Sequence, residues 1–275
     1  MGGIVWLASY PKSGNTWTRN FLHNLLKGNA DINKMDRLTT WDSYAAWYKP
    51  TLGRPLEDCT KEEVAGVRCD ANRRIAESTT DFVFVKTHNA MVMDRGVPMI
   101  PPAFTAGAIY IIRNPLDVAI SYSHHLSKPI DETIDFMNLQ GTQSENHERM
   151  AYEVQSSWWE NVYSWTRKSH PAMHIMRYED MLDKPTATFR TLVRFLRIKA
   201  TEGELQEALE ASSFERLQKQ EREKGFREKP KDAESFFRAG KAGQWQKVLT
   251  KEQVSKVISE NRRQMARFGY LPYGR

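Results

Sequence analysis

Residues 10–17, Tyr-Pro-Lys-Ser-Gly-Asn-Thr-Trp, decide the fold of this 275-residue chain. They follow an apolar run at residues 4–8 and precede a segment in which apolar residues recur with helical spacing. A strand, a glycine-bearing loop and a helix in this order present backbone N–H groups and a helix N-terminus to an anion. The stretch therefore predicts a P-loop-like nucleotide-binding fold.

The position of the lysine separates this loop from an ordinary ATP-binding loop. A Walker loop reads GxxxxGK[ST] and places its lysine directly after the second glycine. Aligned on Gly14, this chain has Ser9 at the first glycine position and Asn15 at the lysine position, and its own lysine is Lys12. The loop therefore predicts a phosphate site and argues against an ordinary ATPase or GTPase.

Length and composition indicate one globular domain over residues 1–275. The chain is 40% hydrophobic and 27% charged, which is enough for one sizeable core. Its net charge of +6 is compatible with nucleic acid, a membrane surface or a polyanionic small ligand, but no long run of like charges marks a basic arm. Cys59 and Cys69 make no disulfide framework, and no signal peptide or membrane segment is recognisable. We therefore expect a cytoplasmic protein.

Four short apolar runs predict an α/β fold. They lie at residues 4–8, 82–86, 108–112 and 173–177, and each is nearly continuous, which is typical of parallel strands buried on both faces. Helical patterns separate the runs, so we predict a central, mostly parallel sheet flanked by helices.

Other parts of the chain carry helix starts and loops. We expect helices to begin at Asn114-Pro115 and at the capping pairs Thr201/Glu204 and Thr250/Gln253. Three stretches do not fit the strand–helix alternation, and we expect them to be irregular segments, either lids and binding loops or surface excursions. They are residues 36–80, 127–150 and 219–241.

Charged side chains follow the ends of the predicted strands. In an open α/β sheet, ligands bind beyond the carboxyl ends of the strands. Lys12 follows the first run, Lys86 and His88 the second, Arg113 the third and Tyr178 the fourth. We expect the two lysines, the arginine and the histidine to converge on one edge of the sheet. Such a site suits a ligand with several negative charges.

Each of these features alone also has an ordinary structural explanation. The glycine loop can be only a turn, and Lys86 and Arg113 can be solvated strand ends. A lone histidine such as His88 is more often a surface or core residue than a base. Trp17 has the spacing of a core residue, and Ser121 can point to water. Their joint occurrence at successive strand ends favours a single pocket.

Taken in chain order, the motifs resemble those of the PAPS-dependent sulfotransferases of the cytosolic type, where PAPS is 3′-phosphoadenosine 5′-phosphosulfate. Residues 10–17 resemble the family's 5′-phosphosulfate loop, YPKSGTTW, with Asn15 in place of a threonine. Residues 113–122 resemble its 3′-phosphate segment, and residues 86–88 match its KTH motif.

The resemblance continues through the second half of the chain. Residues 178–181 match the family's YEDM motif, and residues 212–214 are similar to the segment that holds the adenine. Residues 238–245 are similar to its closing RKGxxGDW loop, with Ala239 at a lysine position and Gln244 at an aspartate position.

The resemblance implies a role for each motif. It implies PAPS as donor and PAP as product, with no metal ion, and it implies that His88 takes the acceptor's proton while Lys86 and Lys12 bear charge on the transferring group. Trp17 and Phe214 would sandwich the adenine. The nucleotide would be held by Lys12, Ser13, Gly14, Asn15, Thr16, Trp17, Arg113, Ser121, Tyr178, Ser212, Phe214, Arg238, Ala239 and Gly240.

The expected acceptor is a small-molecule alcohol, phenol or amine. Many relatives dimerise through a KxxxTVxxxE segment, of which residues 246–255 keep only Thr250, so we expect a monomer or a weak homodimer. The candidates for the acceptor pocket, which are equally compatible with a core position, are aromatic residues and histidines: Trp41, Tyr44, Trp47, Tyr48, His124, His125 and Phe136.

Three other functions were weighed against this one. A P-loop kinase or nucleoside-triphosphate hydrolase acting on a small molecule is the main alternative, but it needs a lysine at the position of Asn15 and a carboxylate for Mg²⁺. A nucleic-acid-binding module is suggested by the pI of about 9.2, yet the basic residues at the strand ends occur singly. An inactive nucleotide-binding scaffold is disfavoured by the intact Lys86–His88 pair. We therefore expect neither a nucleic-acid nor a membrane partner.

Overall fold

The computed structural model of the chain describes residues 2–28, 31–230 and 233–272. These residues form two compact units, and the chain passes between them several times. The first unit comprises Met1–Tyr10, Thr39–Tyr110 and Phe136–Ile175, and the second comprises Pro11–Leu38, Ile111–Asp135 and Met176–Arg275. The single domain over residues 1–275 stays a prediction.

A five-stranded sheet confirms the predicted α/β class. Its strand order is β2-β3-β1-β6-β7, and β3 pairs in parallel with both β1 and β2. A separate two-stranded hairpin consists of β4 and β5. The strands are β1 Gly3–Ser9, β2 Thr39–Trp41, β3 Phe82–Thr87, β4 Met93–Asp94, β5 Val97–Pro98, β6 Thr105–Ile112 and β7 Met173–Arg177.

Helices alternate with strands along much of the chain, as the sequence pattern predicts. The first unit contains α2 Ala45–Leu52, α3 Lys61–Gly66, α4 Arg68–Glu77 and α7 Trp158–Thr166. The second contains α1 Asn15–Lys27, α5 Pro115–Leu126, α8 Tyr178–Asp183, α9 Pro185–Phe195, α10 Glu202–Ala211, α11 Phe214–Lys224, α12 Trp245–Val248 and α13 Lys251–Arg267, while α6 Ile130–Asn138 has residues in both.

The predicted helix starts are confirmed. The Asn114 side chain accepts a hydrogen bond from the Leu116 N–H ahead of α5. Thr201 and Thr250 each complete a capping box, at α10 and α13. These caps satisfy N–H groups that otherwise lack a helical partner, which is why the motif predicts a boundary so well.

The prediction of irregular structure for residues 36–80 and 127–150 is wrong. The first stretch contains β2 and three helices, and the second contains the whole of α6. β2 is only three residues long, α2 carries an internal Pro50, and α4 is mostly polar, so none of them has a strong hydrophobic period. Residues 225–241 do lack helices and strands where described, although α11 occupies the start of the third stretch.

The middle strand β1 explains the continuous apolar run at the N-terminus. It lies between β3 and β6, and the side chains of Ile4, Trp6 and Leu7 are completely buried. The Trp6 indole N–H donates to Thr105 Oγ1 at 2.9 Å, so its one polar atom is satisfied inside the core. A strand that is buried on both faces does not need alternating polar and apolar residues. Because the strand is held in the sheet, the residues that follow it start from a fixed position.

Two observations bear on the wider expectations for the protein. Of the helices that the structure describes, none combines the length and the apolar composition needed to cross a membrane. No group of three or more His, Cys, Asp and Glu residues within the described ranges is placed to hold a metal ion. The cytoplasmic location and the oligomeric state stay predictions.

Candidate active site

The loop before α1 is shaped by two residues with positive φ. Lys12 has φ 65° and Gly14 has φ 106°, and Gly14 is the N-cap of α1. A Cβ atom on Gly14 would lie 2.8 Å from Cδ2 of Tyr178, so only glycine fits between the loop and that ring. The first turn of α1 holds no acidic residue. Its N–H groups and helix dipole are therefore suited to an external anion.

Replacing Gly14 by alanine is expected to damage this loop. The left-handed backbone and the contact with Tyr178 together should cost about 1–3 kcal/mol of stability and raise the dissociation constant for PAP by about 10-fold or more. Gly28→Ala is the matched control, because Gly28 ends the same helix with φ 60° but a Cβ there meets nothing within 4 Å. Thermal unfolding and calorimetric PAP titration would check this. Equal losses in both variants would show that the contact with Tyr178 has no effect.

Ser13 offers a buried hydroxyl to a ligand. Its side chain is 1% exposed, and its Oγ has no hydrogen-bond partner among the described residues. Leaving a buried hydroxyl unpaired costs about 1–3 kcal/mol, so a phosphate oxygen would be a favourable partner. Asn15 and Thr16 are buried beside it at the start of α1. The residues of this loop thus fit the phosphate group predicted for them.

Arg113 joins the loop before α1 to the closing segment, which we define as residues 238–245. One of its terminal nitrogens donates to the carbonyl of Lys12 at 2.9 Å and the other to the carbonyl of Lys241 at 3.1 Å. The guanidinium also lies 4.3 Å from the ring centroid of Tyr178. Its Nε is buried without a hydrogen-bond partner among the described residues. Arg113 therefore joins two main-chain segments and has one N–H group that could bind a ligand.

Asp117, in the first turn of α5, holds the closing segment, a role that the sequence analysis did not assign to it. Its buried carboxylate accepts hydrogen bonds from the Gly243 N–H at 2.6 Å and the Trp245 N–H at 3.1 Å. Two bonds from consecutive parts of the closing segment fix that segment to α5. The signal available in the sequence was the position of Asp117 inside the 3′-phosphate motif.

Trp17 and Phe214, the predicted adenine sandwich, pack against one apolar cluster of the second unit. Both are half-buried, and Gly240 approaches the Phe214 ring so closely that a Cβ there would lie 2.4 Å from it. Ser212 donates its hydroxyl to the Ala208 carbonyl at 2.7 Å, so only its oxygen remains for a ligand. The cluster consists of Ile32, Met35, Leu217, Phe226 and Phe237.

The remaining predicted nucleotide ligands differ in exposure. Ser121 is half-buried in α5, and Ala239 is half-buried in the closing segment. Arg238 is exposed, and its guanidinium donates to Gln244 Oε1 at 3.2 Å. Gln244 stands where the resemblance expects an aspartate, so the side chain that Arg238 contacts there is a neutral amide.

The Lys12 side chain points to two partners within the second unit. Its ammonium nitrogen lies 3.4 Å from His125 Nδ1 and 4.1 Å from the ring centroid of Phe236. Phe236 is held by Glu221, whose carboxylate accepts the Phe236 N–H at 2.6 Å. An aromatic face stabilises an ammonium charge by its quadrupole.

His88 lies just beyond the end of β3 in the first unit, and its orientation is fixed from both sides. Its Nδ1 is 2.8 Å from the Ser9 carbonyl, which can only accept, so Nδ1 carries the proton. Asn161 donates to the His88 carbonyl at 3.0 Å. This tautomer leaves Nε2 as the basic nitrogen.

Lys86 lies on β3 opposite an aromatic side chain. β2 and β3 pair in register at Trp41 and Lys86, and the Lys86 ammonium nitrogen is 3.4 Å from the Trp41 ring centroid. Lys86 is 5% exposed, so this contact is largely shielded from water. The Trp41 ring also lies 6.0 Å from the His88 ring, nearly perpendicular to it.

A buried carboxyl group adjoins these strands. Asp42 Oδ2 accepts hydrogen bonds from Thr87 Oγ1 at 3.0 Å and Asn89 Nδ2 at 2.8 Å. Its Oδ1 has no hydrogen-bond partner among the described residues. Burial, reinforced by the negative charge of Glu153, raises the pKa of Asp42 to about 7.

The raised pKa of Asp42 predicts how stability depends on pH. The folded protein holds this proton up to about pH 7, whereas the unfolded chain releases it near pH 4, so the contribution of Asp42 to stability is lost as pH rises from about 4 to 7. Asp42→Asn should remove this pH dependence, because asparagine does not titrate. The free energy of unfolding of the wild type minus that of Asp42→Asn should therefore decrease by on the order of a few kcal/mol between pH 4 and pH 7. Urea unfolding of both proteins at several pH values would measure it. Parallel pH profiles would contradict the assignment.

The structure brings the predicted residues together in two groups. The first unit contains Lys86 and His88. The second unit contains Lys12 to Trp17, Arg113, Tyr178, Phe214 and the closing segment.

The predicted candidates for the acceptor pocket have different surroundings. Tyr48 is fully buried against Arg68 and is a core residue. Trp47 donates to Thr40 Oγ1, and Trp41 contacts Lys86.

Comparison with known proteins identifies the family. The sulfotransferase domain family matches residues 4–269. The chain belongs to the sulfotransferase family. This family uses PAPS as the sulfuryl donor, so the sulfotransferase described here is a PAPS-dependent enzyme. The resemblance predicted from the motifs is confirmed.

Individual relatives of this sulfotransferase share its full extent. It is 28% identical over 271 residues to sulfotransferase 1B1 of Canis lupus familiaris, covering 92% of this chain and 80% of the relative. It is 25% identical over 276 residues to flavonol 3-sulfotransferase of Flaveria bidentis, covering 92% of this chain and 78% of that one.

Solved structures confirm the fold of this sulfotransferase. A retinol dehydratase in complex with androsterone and the inactive cofactor PAP superposes with a TM-score of 0.66, at 21% identity, over 95% of this chain and 80% of that one. Mouse sulfotransferase SULT7A1 complexed with PAP gives a TM-score of 0.63, at 18% identity, over 96% and 84% of the two chains. The P-loop-like α/β fold predicted from residues 10–17 is therefore confirmed.

Proposed function

We propose that this sulfotransferase moves the sulfuryl group of PAPS to a hydroxyl or amine of a small-molecule acceptor, with His88 as general base and Lys12 and Lys86 as charge-stabilising residues. The observation that carries the proposal is the hydrogen bond from His88 Nδ1 to the Ser9 carbonyl at 2.8 Å. In the neutral imidazole this bond puts the proton on Nδ1, so Nε2 is the nitrogen that can accept the acceptor's proton.

The transfer step needs few covalent events. The acceptor oxygen or nitrogen forms a bond to sulfur while the bond from sulfur to the 5′-phosphate oxygen breaks, and PAP leaves with that electron pair. The acceptor's proton passes to His88 Nε2. By analogy with phosphoryl transfer, the transition state is loose and in line, so positioning and electrostatics supply most of the rate enhancement.

Charge develops at two places during this step. Negative charge grows on the leaving phosphate oxygen, where Lys12 and the N–H groups at the start of α1 would stabilise it. Lys86 would balance the charge of the non-bridging sulfuryl oxygens. The family match favours sulfuryl over phosphoryl transfer, and Asn15 at the Walker lysine position supports the same choice.

The acceptor class is proposed on the names of the relatives and on the aromatic side chains of the first unit. One relative is named as a flavonol sulfotransferase, and one structural neighbour is a complex with androsterone. Tyr44 is one such side chain: its ring centroid lies 5.7 Å from that of Trp41, and the Trp41 ring centroid lies 6.0 Å from that of His88. Planar or alicyclic alcohols and phenols match such aromatic surfaces.

A transfer assay with ³⁵S-labelled PAPS tests the proposal. The protein is incubated with a panel of alcohols, phenols and amines, and PAP binding is measured separately by calorimetry. Labelled product together with PAP binding that needs no Mg²⁺ is the expected result. Failure to bind PAP, or turnover of ATP with Mg²⁺ in place of sulfuryl transfer, would overturn it.

A further inference from the structure

Two successive contacts in the first unit join Lys86 to Trp41 and Trp41 to Glu153, and we call them one line of contacts. We propose that Trp41 and Glu153 are positioning residues that hold the Lys86 ammonium group in place and in its charged form for sulfuryl transfer. The inference rests on the proposed function, since that function assigns Lys86 its role. It also reassigns Trp41, which the sequence analysis offered as a wall of the acceptor pocket.

The first contact joins Lys86 to the face of Trp41. Because β2 and β3 pair in register at these residues, both side chains leave the sheet on the same side. The 3.4 Å distance from ammonium nitrogen to ring centroid lies well inside the range of cation–π contacts. Burial of Lys86 strengthens the attraction, since little water competes for the charge.

The second contact fixes the ring itself. The Trp41 indole N–H donates to Glu153 Oε1 at 3.0 Å, and Ser43 Oγ donates to the same oxygen at 3.3 Å. Glu153 is 7% exposed, and its other oxygen accepts from Gln155 at 3.4 Å. A hydrogen bond from the indole N–H to a carboxylate draws the proton outward and leaves more electron density on the ring. The carboxylate therefore reinforces the face that Lys86 meets.

This arrangement suits a lysine that must act on an anionic group. An aromatic face attracts the ammonium group through its quadrupole and so favours the charged form of the lysine. Glu153 reinforces this attraction through its hydrogen bond to the indole. Charged or titratable groups near these contacts include Asp42, Arg68 and His88.

Variants at Trp41 and Glu153 test the inference. Trp41→Phe keeps an aromatic face without the indole N–H, Trp41→Leu removes the face, and Glu153→Gln keeps an acceptor oxygen without the charge. Trp159→Phe is the matched control, because its ring stacks on Tyr163 at a centroid distance of 5.0 Å, outside this line of contacts. Circular dichroism and PAP titration establish that each variant is folded. If Trp41→Leu does not fold, Trp41→Phe and Glu153→Gln carry the test.

Two readouts separate positioning from a structural or pocket-lining role. The first is the pH profile of Lys86 reactivity toward an amine-selective reagent, followed by mass spectrometry, whose midpoint should fall by about one unit in Trp41→Leu and by less in Trp41→Phe and Glu153→Gln. The second is steady-state kinetics, in which kcat should fall about 10-fold or more in Trp41→Leu while KM for the acceptor stays within about twofold. Trp159→Phe should change neither.

The outcomes distinguish this inference from the proposed function. An unchanged Lys86 profile, or a raised acceptor KM with unchanged kcat in Trp41→Leu, would overturn the inference and return Trp41 to the acceptor pocket. A shifted Lys86 profile in a protein that transfers no sulfuryl group would instead uphold the contacts and refute the function. If Lys86→Ala kept the kcat of the wild type, Lys86 would have no role in catalysis and the contacts that hold it would serve none.

Discussion

Replacement of His88 by alanine is expected to lower kcat by about 10²- to 10⁴-fold, the usual contribution of a positioned general base, while the affinity for PAP changes by no more than about twofold. The base position depends on the Ser9 carbonyl, which holds the proton on Nδ1 and leaves Nε2 for the acceptor. Single-turnover transfer from ³⁵S-labelled PAPS and calorimetric titration with PAP would measure the two effects separately.

Two further variants sharpen this test. His88→Asn retains a side-chain N–H that can donate to the Ser9 carbonyl but has no basic nitrogen, so it should be as slow as His88→Ala. His170→Ala is the matched control, because His170 is exposed in the same unit. A His88→Ala enzyme with nearly normal kcat would exclude His88 as the base.

Lys12→Ala is expected to impair both binding and turnover. An ammonium group about 4 Å from a phosphate contributes roughly 4 kcal/mol of Coulomb energy at an effective dielectric near 20, so we expect a decrease in kcat of about 10³-fold and a rise of about 10-fold or more in the PAP dissociation constant. Both effects should weaken with added salt where the group is solvated. Kinetics and titration at two ionic strengths would measure them.

The control for Lys12 lies at the other end of the same helix. Lys27 is exposed in the last turn of α1, so Lys27→Ala removes one positive charge without touching the loop. It should leave kcat and PAP affinity near those of the wild type. If Lys12→Ala transferred the sulfuryl group at the wild-type single-turnover rate, Lys12 would have no part in stabilising the leaving group.

The sequence predicts this fold well where buried segments are continuous. β1, β3, β6 and β7 coincide with the four predicted apolar runs. β1 and β6 are almost wholly buried, as such runs predict, whereas β7 is mostly half-buried. β2 escapes prediction because it consists of only Thr39, Thr40 and Trp41 at the end of the strand order. Its importance comes from pairing with β3, which places Trp41 against Lys86, and that pairing has no local signal.

The candidate site is predictable in its residue types more than in its contacts. Motif order indicated Lys12, Lys86, His88 and Arg113 as charged residues at strand ends. It did not indicate Glu153, whose bond to Trp41 joins residues 112 positions apart. Nor did it indicate that Arg113 donates to two main-chain carbonyls. Such contacts depend on tertiary packing, which propensity and spacing do not encode.

Arg113 also has a consequence for how the nucleotide leaves. One guanidinium donates to the carbonyls of both Lys12 and Lys241, so a single side chain joins the backbone before α1 to the closing segment. Loss of the Arg113 side chain would remove both hydrogen bonds at once. If the two segments bind opposite ends of the nucleotide as proposed, a substitution at this position would change donor capture and product departure together.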